Sequence, residues 1–316
     1  MEDKIRIGIS ACLLGQHVRF DGGHKHDRYL TDTLGEYLDF IPVCPEVEAG
    51  FPIPRETFRL FGDPDNPRLV TCRSNADYTD RMIAWAEKRV RELEKEDLCG
   101  FIFKSDSPSS GLVRVKVYTP KGMPEKKGVG LFARAFTRHF PLLPVEEEGR
   151  LNDPKLRETF IEQIFTLKHW RENIAVGRCM KNLVDFHTRY KLLLLSHCTV
   201  NVRAMGKLVA EGKHMPIESV YDQYENLLVE TLRMKSTVKK NLNVLEHILG
   251  YFKNQLSADE KKEMLEIFDR YRQEFVPLIV PVTLLNHYVR KTGEPYLKQQ
   301  VYLDPHPVAL KLRNHA

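Results

Sequence analysis

Apolar residues follow two patterns along this chain, and the change between them divides it into two halves. In the first half, short runs of apolar or small residues predict strands that are buried on both faces. These runs are IRIGISA (5–11), FIPVC (40–44) and GFIFK (100–104). Amphipathic segments predict helices over 25–38, 79–96 and 131–140, the second of them capped by Thr79 or Asp80. Strands that alternate with helices predict a parallel sheet with helices on its faces.

From about Asp153 onward the pattern is one helix after another. An apolar stripe at helical spacing begins at Leu156 and ends at Leu167. Further helices are predicted over 179–212, 216–235, 237–253 and 258–273. The last of these begins with a capping box, in which the Ser257 side chain accepts from the backbone of Glu260 and the Glu260 side chain reaches back. The second half is therefore expected to be all-α.

These patterns predict an α/β domain over residues 1–150 and a helical domain over 151–316, with the boundary near 145–153. The formal charge of +5 on the 316 residues is unevenly distributed. The first domain has 23 Lys and Arg against 24 Asp and Glu, whereas the second has 25 against 19. A basic second domain suits an anionic partner. A slightly basic surface without a partner explains the same numbers, so charge alone leaves both interpretations open.

Composition excludes several classes of protein. The chain is 42% hydrophobic and 29% charged, which is ordinary for a globular protein and excludes collagen-like and wholly disordered classes. Its longest apolar run, 275–285, is too short to cross a bilayer, and the start shows no signal-peptide pattern. We therefore expect a cytoplasmic protein whose six cysteines stay reduced. The absence of a CxxC motif excludes a zinc ribbon and a thioredoxin motif.

Two cysteines follow two of the predicted strands. Cys12 comes directly after the first strand, and Cys44 ends the second. The carboxyl ends of parallel strands share one edge of a sheet, where ligands bind, so these two thiols are expected to converge. Converging thiols are typical of a metal or cluster site, although free cysteines are more often small buried hydrophobes. Spacing alone favours the second interpretation.

Three motifs, SACLLGQHVRFDGGHK, PVCPEVEAGFPIPR and KSDSPSSG, resemble those of the thiouracil desulfidase-like family. The second half, notably LVDFHTRYKLLLLSH and YLKQQVYLDPHP, resembles a helical domain that is often fused to it. The resemblance implies a Rossmann-like α/β domain with a [4Fe–4S] cluster on three cysteines. The combined architecture is similar to that of tRNA 4-thiouridine desulfidases. It implies an enzyme that converts 4-thiouridine in tRNA to uridine and releases sulfide.

The resemblance also assigns site residues. Cys12 and Cys44 match two of the cluster cysteines, but Ser110 stands where the third is expected. Because a serine oxygen is a harder ligand than a thiolate, this enzyme is expected to be impaired. An engineered variant, a natural weak ligand and a lost cluster all remain open as explanations. Glu46 matches the catalytic glutamate and Ser107 a serine that acts with it, whereas pattern alone predicts a loop acid and a turn residue.

Four further residues have open interpretations at this stage. Cys72 and Cys99 are conceivable substitute ligands, but Cys99 precedes a strand at the end opposite the proposed site and suits the core better. Arg55 and Lys104 lie in the same loops as the motifs and are candidates to meet a nucleotide phosphate. A structural ion pair explains each of them equally well.

The basic residues of the second domain are candidates to contact tRNA phosphates, with a solvated helix face as the alternative. They are Arg189, Lys191, Arg203, Arg233, Lys235, Lys239 and Lys240. No membrane and no obligate protein partner are expected. Two other functions remain open: a desulfidase of free thiolated bases or nucleotides, and a non-catalytic RNA-binding module whose cluster site has decayed at Ser110.

Overall fold

The computed structural model of the chain describes residues 4–119 and 123–315. They form two compact units, Met1–Leu156 and Arg157–Ala316. Among the described residues, no helix combines the length and the apolar character that a membrane crossing requires. The fold class is confirmed, because an α/β unit with a parallel sheet is followed by an all-α unit.

Eight strands and three helices make up the first unit. The strands are β1 (Ile5–Ser10), β2 (Leu38–Val43), β3 (Phe58–Asp63), β4 (Asn66–Thr71), β5 (Phe101–Phe103), β6 (Val115–Tyr118), β7 (Pro124–Gly128) and β8 (Val145–Glu147). The helices are α1 (Pro45–Glu48), α2 (Thr79–Leu93) and α3 (Leu131–His139). The three predicted strands are present as β1, β2 and β5, and β1 and β5 are buried as expected. Strand β2 lies at the edge of its sheet and is only partly buried, because it has a neighbour on one side.

The first sheet has the strand order β2-β1-β5-β8, and all of its paired strands are parallel. Its centre is apolar on both faces, since Ile7, Ile9 and Phe101 are fully buried. The chain passes from β1 to β2 on one side and later returns to β5 on the other. A crevice outside the carboxyl ends of β1 and β5 is the place where such a sheet binds ligands.

A second sheet, which the sequence analysis did not predict, has the order β4-β3-β6-β7. Its strands are antiparallel except for the parallel pair β3 and β6. Alternate residues such as Leu60 and Val117 point inward, where they pack with Met82 of α2 and Leu131 of α3. The other face carries charged and aromatic side chains.

Two expectations for the first unit are wrong in detail. The segment 25–38 is not one helix: it contains a π turn at Tyr29–Thr33 and a 3-10 turn at Leu34–Glu36 before β2 begins. The start of α2 is not capped by Thr79 or Asp80. The carboxylate of Asp77 accepts the Thr79 N–H at 2.9 Å and serves this end of the helix.

The second unit consists of helices, with α4 beginning just before the division between the units. The helices are α4 (Pro154–Val176), α5 (Met180–His197), α6 (Thr199–Glu211), α7 (Ile217–Arg233), α8 (Val238–Tyr251), α9 (Ala258–Arg272), α10 (Ile279–Thr292) and α11 (Pro295–Lys298). The capping box of Ser257 and Glu260 at the start of α9 is confirmed.

The prediction of a single helix over 179–212 is wrong, because the helix is interrupted at Cys198. Its backbone is extended there (φ −154°, ψ 107°), and its sulfur accepts the Asn201 N–H at 3.5 Å, so α6 starts anew. Helix α10 was not predicted at all. Its apolar segment contains Pro281, which is tolerated because it lies in the first turn.

Candidate active site

A cavity of about 340 Å³ opens at the carboxyl edge of the first sheet. We call it the rim cavity. It is lined by the segments that follow β1, β2 and β5, and among its lining residues are Cys12, Cys44, Glu46, Ser107 and Ser110. The five residues that the sequence analysis assigned to the cofactor and to catalysis therefore lie around one space.

Cys12 and Cys44 reach the rim cavity because of the register of their strands. Ser10 of β1 pairs with Val43 of β2, so the two cysteines follow neighbouring strand ends. Cys12 lies in a 3-10 turn and Cys44 directly precedes α1, and each is 8% exposed. The expected convergence of these thiols is what the structure shows.

Both thiols lie where their neutral form is favoured. Burial raises the pKa of Cys44 to about 12, and the neighbouring Glu46 carboxylate, whose oxygen is 3.7 Å from the sulfur, adds to the rise. Burial also raises the pKa of Cys12, against the opposing charges of Arg19 and Lys104. A thiolate at this site therefore needs a nearby positive charge, which a bound metal supplies.

The loop that carries Ser107 and Ser110 is held by the start of α3. The first backbone N–H groups of this helix have no partner inside it, and they donate to carbonyl oxygens of the loop. Phe132 N donates to Ser109 O at 2.9 Å, and Leu131 N to Pro108 O at 3.2 Å. Gly130 permits this approach, because a Cβ there would lie 2.5 Å from the Ser109 carbonyl atoms. The loop is therefore fixed by backbone bonds.

Glu46 is held from two sides. The Ser109 hydroxyl donates to its Oε1 at 2.5 Å, and the Arg55 guanidinium lies 3.6 Å from its Oε2. Ser109 is fully buried, and its hydroxyl also shares a 3.0 Å hydrogen bond with that of Ser107. Ser107 accepts in turn from the backbone N–H of Ser110 at 3.1 Å. Ser107 is therefore connected to Glu46 through Ser109.

Ser109 is a site residue that the sequence analysis missed. The only signal for it was the serine between Pro108 and Ser110, which the resemblance did not assign. Its contact with Glu46 depends on the loop being pressed against α3, and no local pattern reveals that packing.

The four residues with open interpretations are now placed. Arg55 is nearly buried and pairs with Glu46, and Lys104 pairs with Glu148, so both make structural ion pairs while they also line the rim cavity. Cys72 is exposed and Cys99 is buried before β5. Neither of these two cysteines is among the residues that line the cavity.

The basic residues assigned to RNA lie on the second unit, and most are exposed. These are Arg189, Lys191, Arg203, Arg233, Lys235 and Lys239. Lys240 differs, because its ammonium donates to the backbone oxygens of His197 at 2.6 Å and Lys235 at 2.7 Å. These bonds tie the segment before α8 to the end of α5. A contact between the exposed side chains and RNA stays a prediction.

Within residues 4–119 and 123–315, no group of three or more His, Cys, Asp or Glu side chains is arranged to hold a metal ion. The rim cavity presents the thiols of Cys12 and Cys44 and the hydroxyls of Ser107 and Ser110, with the hydrogen-bonded carboxylate of Glu46 beside them.

Comparison with known proteins matches two family models, one within each unit of the fold. Residues 7–148 match the family model of 2-thiouracil desulfurase, and residues 191–307 match a model described as a protein of unknown function, DUF1722. A solved structure described as the [4Fe–4S]-dependent thiouracil desulfidase TudS is 31% identical. The match covers 48% of this chain and 95% of that one, with a TM-score of 0.39.

Two curated relatives are also similar. YbgA, an uncharacterized protein of Escherichia coli (strain K12), is 27% identical over 165 residues, which are 52% of this chain and 98% of that protein. YbbK, an uncharacterized protein of Bacillus subtilis (strain 168), is 27% identical over 110 residues, or 33% of this chain and 72% of that protein.

Proposed function

We propose that this chain, which belongs to the thiouracil desulfidase-like family, removes sulfur from 4-thiouridine in tRNA with the help of a [4Fe–4S] cluster. The observation that carries the proposal is the rim cavity itself. It brings two buried thiols, the side chain of Ser110 and a hydrogen-bonded carboxylate around a single space. These are the parts that metal-assisted hydrolysis of a thiocarbonyl requires.

Two of the three expected ligand positions carry residues that suit an iron–sulfur cluster, and the third carries a chemically different one. Cys12 and Cys44 supply the soft sulfur ligands that iron–sulfur clusters prefer. Ser110 lines the same cavity and supplies an oxygen, so a cluster here would be held by two thiolates and one serine oxygen. When bound, it would supply a Lewis-acidic iron to receive the departing sulfur.

Glu46 is the group placed to act on water. Its carboxylate takes a proton from a water molecule as the water oxygen bonds to C4 of the pyrimidine. The carbon–sulfur bond then breaks and sulfur leaves as hydrosulfide, so no net electron transfer is required. Ser109 and Arg55 hold the carboxylate in its orientation, and the Ser107 hydroxyl lies in the cavity where it can pass a proton to or from the substrate.

Charge at the cavity favours a nucleotide over an uncharged base. Arg19 and Lys25 also line the rim cavity, and so does the exposed ring of Phe20, whose centre lies 5.4 Å from the Arg19 Cζ atom. Cations beside a base-sized cavity suit the phosphates of a nucleotide chain. The net positive charge of the second unit supports a large polyanion such as tRNA.

Isotope labelling of the product tests this proposal. Anaerobically reconstituted protein is incubated with 4-thiouridine tRNA in H₂¹⁸O, and the nucleosides are analysed by mass spectrometry. We expect uridine that carries one ¹⁸O atom and one equivalent of sulfide. A Glu46→Gln variant should retain its iron and carry out this conversion at least about a hundredfold more slowly. Release of sulfide without incorporation of solvent oxygen would contradict the proposal.

A second candidate is the same reaction on free thiouracil. It is favoured by the descriptions of the matched family and of the solved structure, both of which name thiouracil. The two candidates separate when kcat/KM of the full chain is compared for 2-thiouracil, a thiouridine monophosphate and thiolated tRNA. We expect the highest value for tRNA, and a highest value for the free base would favour the second candidate.

A further inference from the structure

The outward side of the second sheet is a separate feature of the first unit. It carries two aromatic rings, Phe61 and Tyr118, among four cationic side chains, Arg59, Arg68, Lys116 and Lys126. We call these six residues the sheet face. We propose that the sheet face binds a single-stranded segment of RNA. The inference deepens the proposed function, on which it rests for the choice of RNA as substrate.

Strand register places these side chains on one surface. Phe61 pairs with Arg68 across the antiparallel strand and with Tyr118 across the parallel strand. Successive side chains of a strand point to opposite sides, so Leu60 and its neighbour Val117 face the core instead. Both rings are half-buried, so one part of each remains open to solvent.

The rings are already packed against guanidinium groups. The Arg59 Cζ atom lies 5.6 Å from the ring centre of Phe61 and 5.4 Å from that of Tyr118, and the Arg68 Cζ lies 5.5 Å from Phe61. The Arg59 Nη2 donates to Asn75 Oδ1 at 2.8 Å, which fixes its position. Ordered aromatic and guanidinium planes are the surfaces on which unpaired bases stack.

The charges of the sheet face favour a polyanion. Lys116 and Lys126 are exposed and are register partners, and like charges placed opposite one another destabilise a sheet. A phosphate between them would relieve this repulsion. Asp77 pairs with Arg68 at 3.5 Å and Asp63 lies at the end of β3, so the cations remain in excess. Lysine is depleted at the centre of protein–protein interfaces, so Lys116 and Lys126 favour RNA over a protein partner.

The sheet face also adjoins the rim cavity along the chain. Thr57 and Phe58 line that cavity, and β3 begins at Phe58. At about 3.3 Å per residue, Phe61 lies roughly 10 Å farther along the same strand. The Phe58 side chain itself packs on the core side, so the link between the sheet face and the cavity is the backbone of β3.

Fluorescence anisotropy with the full-length protein tests the inference. The probe is a labelled oligouridylate that contains no thiolated base, so its binding does not depend on desulfidation. For Phe61→Leu/Tyr118→Leu we expect binding at least about tenfold weaker, with little change for an RNA duplex. For Lys116→Gln/Lys126→Gln we expect the slope of log K against log salt to fall by about 1.4. The matched control, Lys88→Gln/Arg91→Gln on the exposed side of α2, should bind within twofold of the native chain.

Photo-crosslinking of the native chain removes any dependence on the folding of variants. A 5-bromouridine oligomer should crosslink to the peptides that contain Phe61 or Tyr118. Crosslinks confined to the second unit would overturn the inference, as would unchanged oligouridylate binding in the folded aromatic variant. Loss of duplex and single-strand binding to the same extent would also overturn it. None of these outcomes bears on whether 4-thiouridine is desulfurised.

Discussion

The hydrogen bond between Ser109 and Glu46 gives the sharpest prediction about catalysis. Ser109→Ala removes the hydroxyl that donates to Glu46 Oε1 at 2.5 Å. Because Ser109 is fully buried, a water molecule does not take the place of this hydroxyl. A hydrogen bond to a charged group contributes about 1.5–3 kcal/mol. Since Arg55 still contacts the other oxygen, we take about 2 kcal/mol as the loss of orientation, which corresponds to a decrease of about 30-fold in kcat.

The expected signature is a decrease in kcat with little change in KM, because Ser109 does not line the rim cavity. The assay is the disappearance of 4-thiouridine from tRNA under anaerobic single-turnover and multiple-turnover conditions. A matched control is Ser74→Ala, which removes another serine–glutamate hydrogen bond, Ser74 Oγ to Glu56 Oε2 at 2.9 Å, in the exposed turn after β4. Neither Ser74 nor Glu56 is among the residues that line the cavity. This control should leave kcat unchanged.

A double-mutant cycle decides whether Ser109 acts through the carboxylate. In a Glu46→Gln background, Ser109→Ala should cause no further loss of rate. If Ser109→Ala lowers kcat by less than twofold, or lowers it equally in both backgrounds, then the proposed positioning of Glu46 is wrong.

Three further predictions concern stability and RNA binding. Burial, with a smaller contribution from Lys191, lowers the pKa of His187 to about 4. Because the unfolded chain takes up this proton near pH 6.5 and the folded chain only near pH 4, the free energy of unfolding should decrease as the pH falls through this range. Hydrogen exchange of α5 should show a free energy of unfolding about 2 kcal/mol lower at pH 5 than at pH 7, and His187→Asn should abolish most of that difference. Gly130→Ala should lower the free energy of urea unfolding of the first unit by about 1–3 kcal/mol, because the new Cβ displaces the loop that carries Ser107 and Ser110. The same variant should also bind less iron. An unchanged midpoint of urea unfolding would contradict the packing of α3 against this loop. Lys240→Gln should lower the free energy of unfolding, because it removes two hydrogen bonds to backbone oxygens. Lys239→Gln should leave stability unchanged and weaken tRNA binding in a salt-dependent way. Equal effects of the two substitutions would contradict a structural role for Lys240 and an RNA-binding role for Lys239.

Burial explains which parts of the fold the sequence predicts. Strands β1 and β5 lie at the centre of a sheet covered on both sides, and their continuous apolar runs show this directly. The run in β2 predicts the strand but not its place at the edge of the sheet, where it is only partly buried. The second sheet has one apolar face, and its strands are short. In β6 only Val115 and Val117 point inward, with Lys116 between them, and two apolar residues do not establish a period.

The candidate site was predictable only to the extent that its residues follow strand ends. Cys12 and Cys44 could be placed together because parallel strands align their carboxyl ends. Ser109 could not be found in this way, since its contact with Glu46 depends on helix α3, more than twenty residues farther along the chain. The role of Lys240 was equally hidden, because the fold alone brings the carbonyl of His197 to its ammonium.

The loss of 4-thiouridine absorption from tRNA, followed anaerobically for the reconstituted native chain and for Ser110→Cys, tests the central claim most directly. We predict that absorption disappears with one equivalent of sulfide in both cases. The rate should be higher for Ser110→Cys, because a third thiolate binds the cluster more firmly than an oxygen does. Cys44→Ser leaves Cys12 as the one thiol among the described residues that line the rim cavity, and it should abolish the reaction. Unchanged absorption with both the native chain and Ser110→Cys, each carrying iron, would contradict the account.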